Sequence, residues 1–190
     1  HDMSRNLFPL LAQDANVLET HFGGLADYII VHGVNSAAEL LTLKNALLPQ
    51  ALGNYSLRHP TTPPGGPLVH APNAQMPPRF LLKVDSQVTL DLLPQLLPLV
   101  DGLFLSRSEL GLTVQPNSLP LIQKEVIALC NQSAKVVVVA SELMYSMRTN
   151  PNPTRAEVSD MANAAADGAD ALVISEEVTE GPYFELVAAV

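Results

Sequence analysis

Five apolar, β-rich runs punctuate the chain, at Tyr28 to Val34, Phe80 to Val84, Leu103 to Leu105, Val136 to Ala140 and Ala171 to Ile174. None alternates cleanly with polar residues, which is the pattern of parallel strands buried on both faces. The stretches between them carry helical spacing. Ser36 to Leu48 opens with Ser36 followed three residues on by Glu39, a capping box, and then repeats leucine along one face. Val88 to Val100 is leucine-rich, and Pro94 and Pro98 predict a kinked or short helix there. Leu119 to Ser133 places apolar residues near i, i+3, i+4 and i+7, with Pro120 suited to a first turn. Val158 to Asp167 is alanine-rich after Thr154, and Gly168 is a natural stop. This alternation predicts an α/β fold with a parallel sheet and right-handed crossovers.

Length and composition narrow the architecture. The 190 residues, 47% hydrophobic and 15% charged, suit one domain over 1–190. A complete eight-fold β/α barrel needs about 250 residues, so length alone favours an open sheet. Pro49 to Pro78 breaks the rhythm, because it holds eight of the 16 prolines and one formal charge, Arg58. It reads as an extended, flexible insertion at 49–78, either a surface loop or a Pro-rich partner ligand.

Charge removes several function classes. The net charge is −9, and Ser141 to Val190 contributes −7 of it, the wrong sign for nucleic-acid binding. No apolar run reaches the ~18 residues of a membrane span. The single cysteine, Cys130, lies on an apolar helix face and reads as inert core. His21, His32, His59 and His70 show no metal-ligand spacing, and the opening His1-Asp2-Met3-Ser4 looks like a cloning remnant.

Polar residues collect at the strand ends, where parallel α/β proteins place their chemistry. Lys83 and Asp85 follow the second run at i, i+2, on one face of the strand, and Arg107 and Glu109 follow the third with the same spacing. Ser141-Glu142 ends the fourth run and Ser175-Glu176-Glu177 the fifth. Charged residues at a strand end also simply mark where a chain leaves the core. Four such ends in succession point instead to one rim holding a lysine, an arginine, carboxylates and hydroxyls. That inventory suits phosphoryl or enolate chemistry with a divalent cation.

The run Asn150-Pro151-Asn152-Pro153-Thr154-Arg155-Ala156-Glu157-Val158-Ser159-Asp160, followed by Ala162-Asn163-Ala164 and Asp167-Gly168-Ala169-Asp170, resembles the signature of the pyruvate kinase family. The order around it is similar too. Asp101-Gly102 to Gly111 resembles the family's DGIMVARGDLG segment, Ala140 to Leu143 its ATQM, Ser175 to Val178 its SGET, and Phe80 to Ser86 its IISKIEN strand. The resemblance implies a TIM-barrel-like but incomplete fold of about five β/α units, corresponding to strands four to eight of the family barrel. By position, Lys83 takes the place of the lysine that stabilises the transferring phosphoryl group. Ser141 replaces a threonine that assists enolate protonation, and Ser175 matches a proton-relay serine. Arg107, Ser108 and Glu109 fall in the substrate-binding loop, and Asp85 and Glu109 stand at the two Mg²⁺-binding carboxylates. The K⁺ site is mostly absent from this chain.

The departures cluster where chemistry would occur. Each metal carboxylate is exchanged for the other length, a glycine becomes Ser108, and Glu142 and Glu176 replace neutral residues. A like charge at about 4 Å costs about 4 kcal/mol at an effective dielectric near 20, which would weaken a small anionic substrate. The implied reading is a pyruvate-kinase-like domain whose catalysis has eroded and whose role is binding, assembly or regulation. The competing reading is a fragment or subunit of an active Mg²⁺-dependent enzyme completed by amino-terminal strands. Open sheet edges predict self-association or an upstream domain that covers them, with helix Val158 to Asp167 as a candidate contact. No nucleic-acid or membrane partner is expected, and the resemblance implies a cytoplasmic protein, or an organellar one if a targeting segment has been removed.

Overall fold

The computed structural model describes residues 28–45 and 79–187. The chain divides into two compact units, residues 1–29 with 36–79 and residues 30–35 with 80–190. In the first unit, residues 37–45 are helical (α1), and Ser36 Oγ accepts a hydrogen bond from Glu39 N at 3.2 Å, as the capping pattern predicts. The remainder of the predicted helix to Leu48, and the Pro-rich segment 49–78, lie outside the described residues.

A five-stranded sheet has the order β1 (Tyr28–Val31), β2 (Arg79–Val84), β3 (Gly102–Ser106), β4 (Val136–Ala140) and β5 (Ala171–Val173). Pairing from β2 to β5 is parallel. Sequential strands lie side by side, which is the winding of a β/α barrel and not of an open doubly wound sheet. Four of the six residues of β2 and four of the five of β4 are buried, as the unbroken apolar runs predict. In β5 Ala171 and Val173 are exposed, as befits a sheet edge.

The connecting helices of the second unit are α2 (Gln87–Leu96), α3 (Arg107–Leu110), α4 (Leu119–Gln132), α5 (Arg155–Asp167), α6 (Glu176–Thr179) and α7 (Phe184–Val187). Helix α2 runs through Pro94 and tightens into a 3₁₀ turn, Leu97–Leu99, at Pro98. Helix α5 begins three residues earlier than its apolar pattern predicts. Thr154 Oγ1 accepts from Glu157 N at 3.2 Å while Glu157 Oε2 accepts from Thr154 N at 2.8 Å, a reciprocal cap that fixes the start. Gly168 ends the helix at φ 101°, a conformation glycine adopts without steric cost. Among the described residues no helix is long and apolar enough to cross a membrane.

At the amino ends of the strands one device appears twice. Asp101, just before β3, donates its N–H to Phe80 O at 2.8 Å and accepts from Phe80 N through Oδ2 at 2.8 Å. Asp170, just before β5, does the same with Val137 on β4, at 2.9 and 2.8 Å. Each aspartate satisfies both backbone groups of one residue on the neighbouring strand. Cys130 packs fully buried on α4. Burial, then the negative charge of Asp170, push its thiol up to about 12 against a smaller downward pull from Lys135.

Candidate functional site

The carboxyl ends of β2 and β3 bring Lys83 and Glu109 together. Lys83 Nζ lies 2.7 Å from Glu109 Oε1 and 2.6 Å from Oε2, so one ammonium bridges both carboxylate oxygens. Asp85 lies just beyond β2, and its Oδ1 accepts from Thr89 Oγ1 at 3.2 Å. That hydroxyl also lies 3.0 Å from Ser86 Oγ, the N-cap of α2. Ser106, at the end of β3, sits with its Oγ 3.4 Å from Ser141 Oγ beyond β4. Lys83 thus bonds to Glu109, and Ser106 to Ser141, across neighbouring strands, while Asp85 bonds to α2.

Arg107 and Glu109 do not share a face, contrary to the strand spacing expected from sequence. Residues 107–110 form the short helix α3, in which positions two apart point in different directions. Glu109 consequently meets Lys83 while Arg107 turns toward α5, and Ser108 is exposed. The buried Arg107 guanidinium donates to Asp160 Oδ1 and Oδ2 at 2.8 and 2.6 Å and to Gln123 Oε1 at 3.3 Å. Its Nε and Nη2 both donate to Ser141 O, at 3.1 and 2.7 Å. Arginine's planar fork is suited to this task, since a lysine could reach only one of these acceptors well.

Arg107 opens onto a cavity of about 250 Å³ between α4 and α5, which Glu142, Lys124, Asp160 and Asp167 also line. Neither Lys83 nor Asp85, Glu109 or Ser175 lines it. Glu142 lines this recess together with Arg107 and Asp160. Lys124 closes one side of this recess by an ion pair to Asp167 at 2.6 Å.

The segment after β4 holds an unusual backbone. Ser141, Glu142 and Met144 have φ of 74°, 57° and 55°, a region that costs a non-glycine residue about 1–2 kcal/mol. Two anchors hold it. On one side Arg107 grips the Ser141 carbonyl, and on the other Met144 and Met147 pack with Val178 and Val187. The 3₁₀ turn Tyr145–Arg148 is tied to α5 by Glu157, whose oxygens accept from Ser146 N at 2.7 Å and Ser146 Oγ at 2.5 Å. Burial acts upward on the Glu157 carboxyl, but hydrogen bonds from Ser146 and Thr154 outweigh it and hold the group down at about 2.

Ser175, just beyond β5, has a buried Oγ that finds no partner among the described residues. No group of three or more His, Cys, Asp or Glu side chains among the described residues is placed to hold a metal ion. Of the sequence-predicted site residues, then, Lys83 meets Glu109, Ser141 meets Ser106, Asp85 is engaged by α2, and Arg107 is turned into the α4–α5 recess. Ser106, Gln123 and Asp160 are polar partners that the strand-end pattern does not single out. Asp160 had one signal, its place at the end of the signature run Asn150 to Asp160.

Comparison with known proteins bears on the origin of this arrangement. Residues 71–187 match the model of the pyruvate kinase barrel domain. The pyruvate kinase of Sporosarcina psychrophila is 44% identical over 105 residues, 55% of this chain and 18% of that protein. Those of Bacillus licheniformis and Clostridium perfringens are 43% and 37% identical over 105 residues each, covering 18% and 22% of their lengths. The chain thus spans about a fifth of the length of the relatives it matches. With more than half of its residues accounted for by the barrel-domain model, and its strands wound in barrel order, the chain belongs to the pyruvate kinase family.

Proposed function

We propose that this chain is a pyruvate kinase barrel segment that does not itself transfer a phosphoryl group and serves in binding, assembly or regulation. The supporting observation is that the rim side chains are already engaged, Lys83 with Glu109 and Ser106 with Ser141 across the strands, and Asp85 with Thr89 of α2. Family chemistry needs the lysine free for an anionic group and the carboxylates free for Mg²⁺, with near-octahedral oxygen placement. In this arrangement the donor set does not fit that ion, and no step is derived through it. The signature run keeps a structural role, with the Thr154–Glu157 cap starting α5 and the Arg107–Asp160 link tying it to the end of β3.

The test is a coupled assay for ATP formed from phosphoenolpyruvate and ADP with Mg²⁺ and K⁺. No turnover above a Lys83→Ala control is expected, and turnover that the substitution abolishes would sink the proposal. A second reading, a fragment of an active enzyme completed by other barrel strands, is favoured by the orphaned Ser175 hydroxyl and by the short span of the relatives covered. It requires activity to appear when the missing strands are supplied. Either way, the exposed residues of edge strand β5 support self-association or cover by an upstream domain.

A further inference from the structure

We propose that Lys83 is the resident counter-ion of Glu109, holding the place a divalent cation would need, so that the β2–β3 rim is a self-neutralised pair in which each charge masks the other from ligands. The inference deepens the reading of this rim as an inherited pyruvate kinase site, and it rests on that reading for its choice of probes. Turnover is a separate question, because a chain without turnover could still bind a metal.

The geometry carries it. Both Glu109 oxygens are within 2.7 Å of one ammonium, which takes up one lone-pair direction of each and sets a positive charge against any Mg²⁺ ion brought to about 2.0–2.1 Å. Asp85 is drawn the other way, onto the Thr89 hydroxyl at the start of α2, and Thr89 is itself buried. Asp85 and Glu109 with Lys83 leave one net negative charge, half of what two free carboxylates would offer a dication. The same contact masks the lysine, since an anion must compete with a carboxylate already in place. The pair is partly exposed, with side-chain accessibility of 21% for Lys83 and 47% for Glu109. Its strength is therefore modest, and breaking it should change ligand affinity roughly tenfold and not many orders of magnitude.

The experiment uses the whole 190-residue chain without phosphoenolpyruvate or ADP. Mn²⁺ binding is followed by electron paramagnetic resonance and inorganic phosphate binding by calorimetry. Lys83→Met should bind Mn²⁺ roughly tenfold more tightly than the parent, and adding Glu109→Gln should remove that gain. Glu109→Gln alone should raise phosphate affinity by a similar factor, because it frees Lys83. The proposal is overturned if the parent binds Mn²⁺ as tightly as Lys83→Met, or if the gain survives loss of Glu109. Should circular dichroism show that Lys83→Met does not fold, Lys83→Gln and the phosphate measurement replace it, and unchanged phosphate affinity in Glu109→Gln overturns the proposal. Turnover is assayed on the same preparations, so active parent protein with a masked Mn²⁺ site would refute the loss of catalysis and leave the ion pair standing.

Discussion

Replacing Arg107 tests how the strained segment after β4 is held. Arg107→Met keeps the length of the side chain and removes every donor. The Ser141 carbonyl then loses both of its charged hydrogen bonds, and a part-buried acceptor left without a partner costs about 1–3 kcal/mol. The ion pair to Asp160 adds only about 1 kcal/mol, because the Asp160 side chain is 37% exposed. The expected loss is thus about 2–4 kcal/mol. Arg107→Lys should lose about half of that, since one ammonium cannot serve Ser141 and Asp160 together. Urea unfolding followed by circular dichroism gives the totals, and amide exchange over residues 141–147 shows whether the loss is local. Glu142 is exposed at φ 57°, so Glu142→Gly should return part of the loss in the Arg107→Met background by relieving about 1 kcal/mol of strain. If both Arg107 variants unfold within about 0.5 kcal/mol of the parent, with unchanged exchange in this segment, the guanidinium is not its anchor.

Three further outcomes can be checked independently. A Cβ at Gly102 would strike Val136 O and lie 2.8 Å from Leu81 Cδ2, so Gly102→Ala should destabilise by about 3 kcal/mol in the same urea assay, whereas a loss under about 1 kcal/mol would mean that β3 and β4 can part to accept it. Glu157 is held below its ordinary 4.5, at about 2, so its contribution is fully present above pH 4.5 and is lost as pH falls toward 2. Stability curves of the parent and Glu157→Gln should therefore converge across that window, and curves that stay parallel there would contradict the assignment. With its thiol near 12 and not 9.0, native Cys130 should react with iodoacetamide at pH 8 about a thousandfold more slowly than the urea-unfolded chain, and equal rates in the two states would show that the thiol is not held in the core.

Much of the fold could be read from the chain because its elements are set by neighbours in sequence. The unbroken apolar runs gave the strands, and Thr154, Glu157 and Gly168 marked the ends of α5 by local hydrogen bonding and backbone preference. The site was less legible because its contacts join residues far apart in sequence. Lys83 finds Glu109 only because β2 and β3 are adjacent, and the strand-like spacing of Arg107 and Glu109 conceals a four-residue helix that sends them apart. Ser141 was visible as a hydroxyl, but its left-handed backbone was not, since that conformation is imposed by Arg107 and the methionine cluster and not chosen by the residue itself. The left-handed backbone of Glu142 was hidden in the same way, as its position in the strand-end order does not fix the direction in which the turn presents it.

The twin aspartates before β3 and β5 give the sheet a grain. Asp101 fastens β3 to β2 and Asp170 fastens β5 to β4, each through a two-point grip on a single residue of the neighbour. A slip of one residue in either pair would break both points at once, so register is written at the end of the strands opposite the rim. The opposite end is thereby released from holding register and can exchange its side chains while the frame stays in place. Each fastener lies within one strand pair, β2 with β3 and β4 with β5, whereas β3 and β4 are joined at the rim by Arg107 on the Ser141 carbonyl. A cut between β3 and β4 would keep both aspartate fasteners whole and would sever instead the Arg107 hold on Ser141 and Asp160.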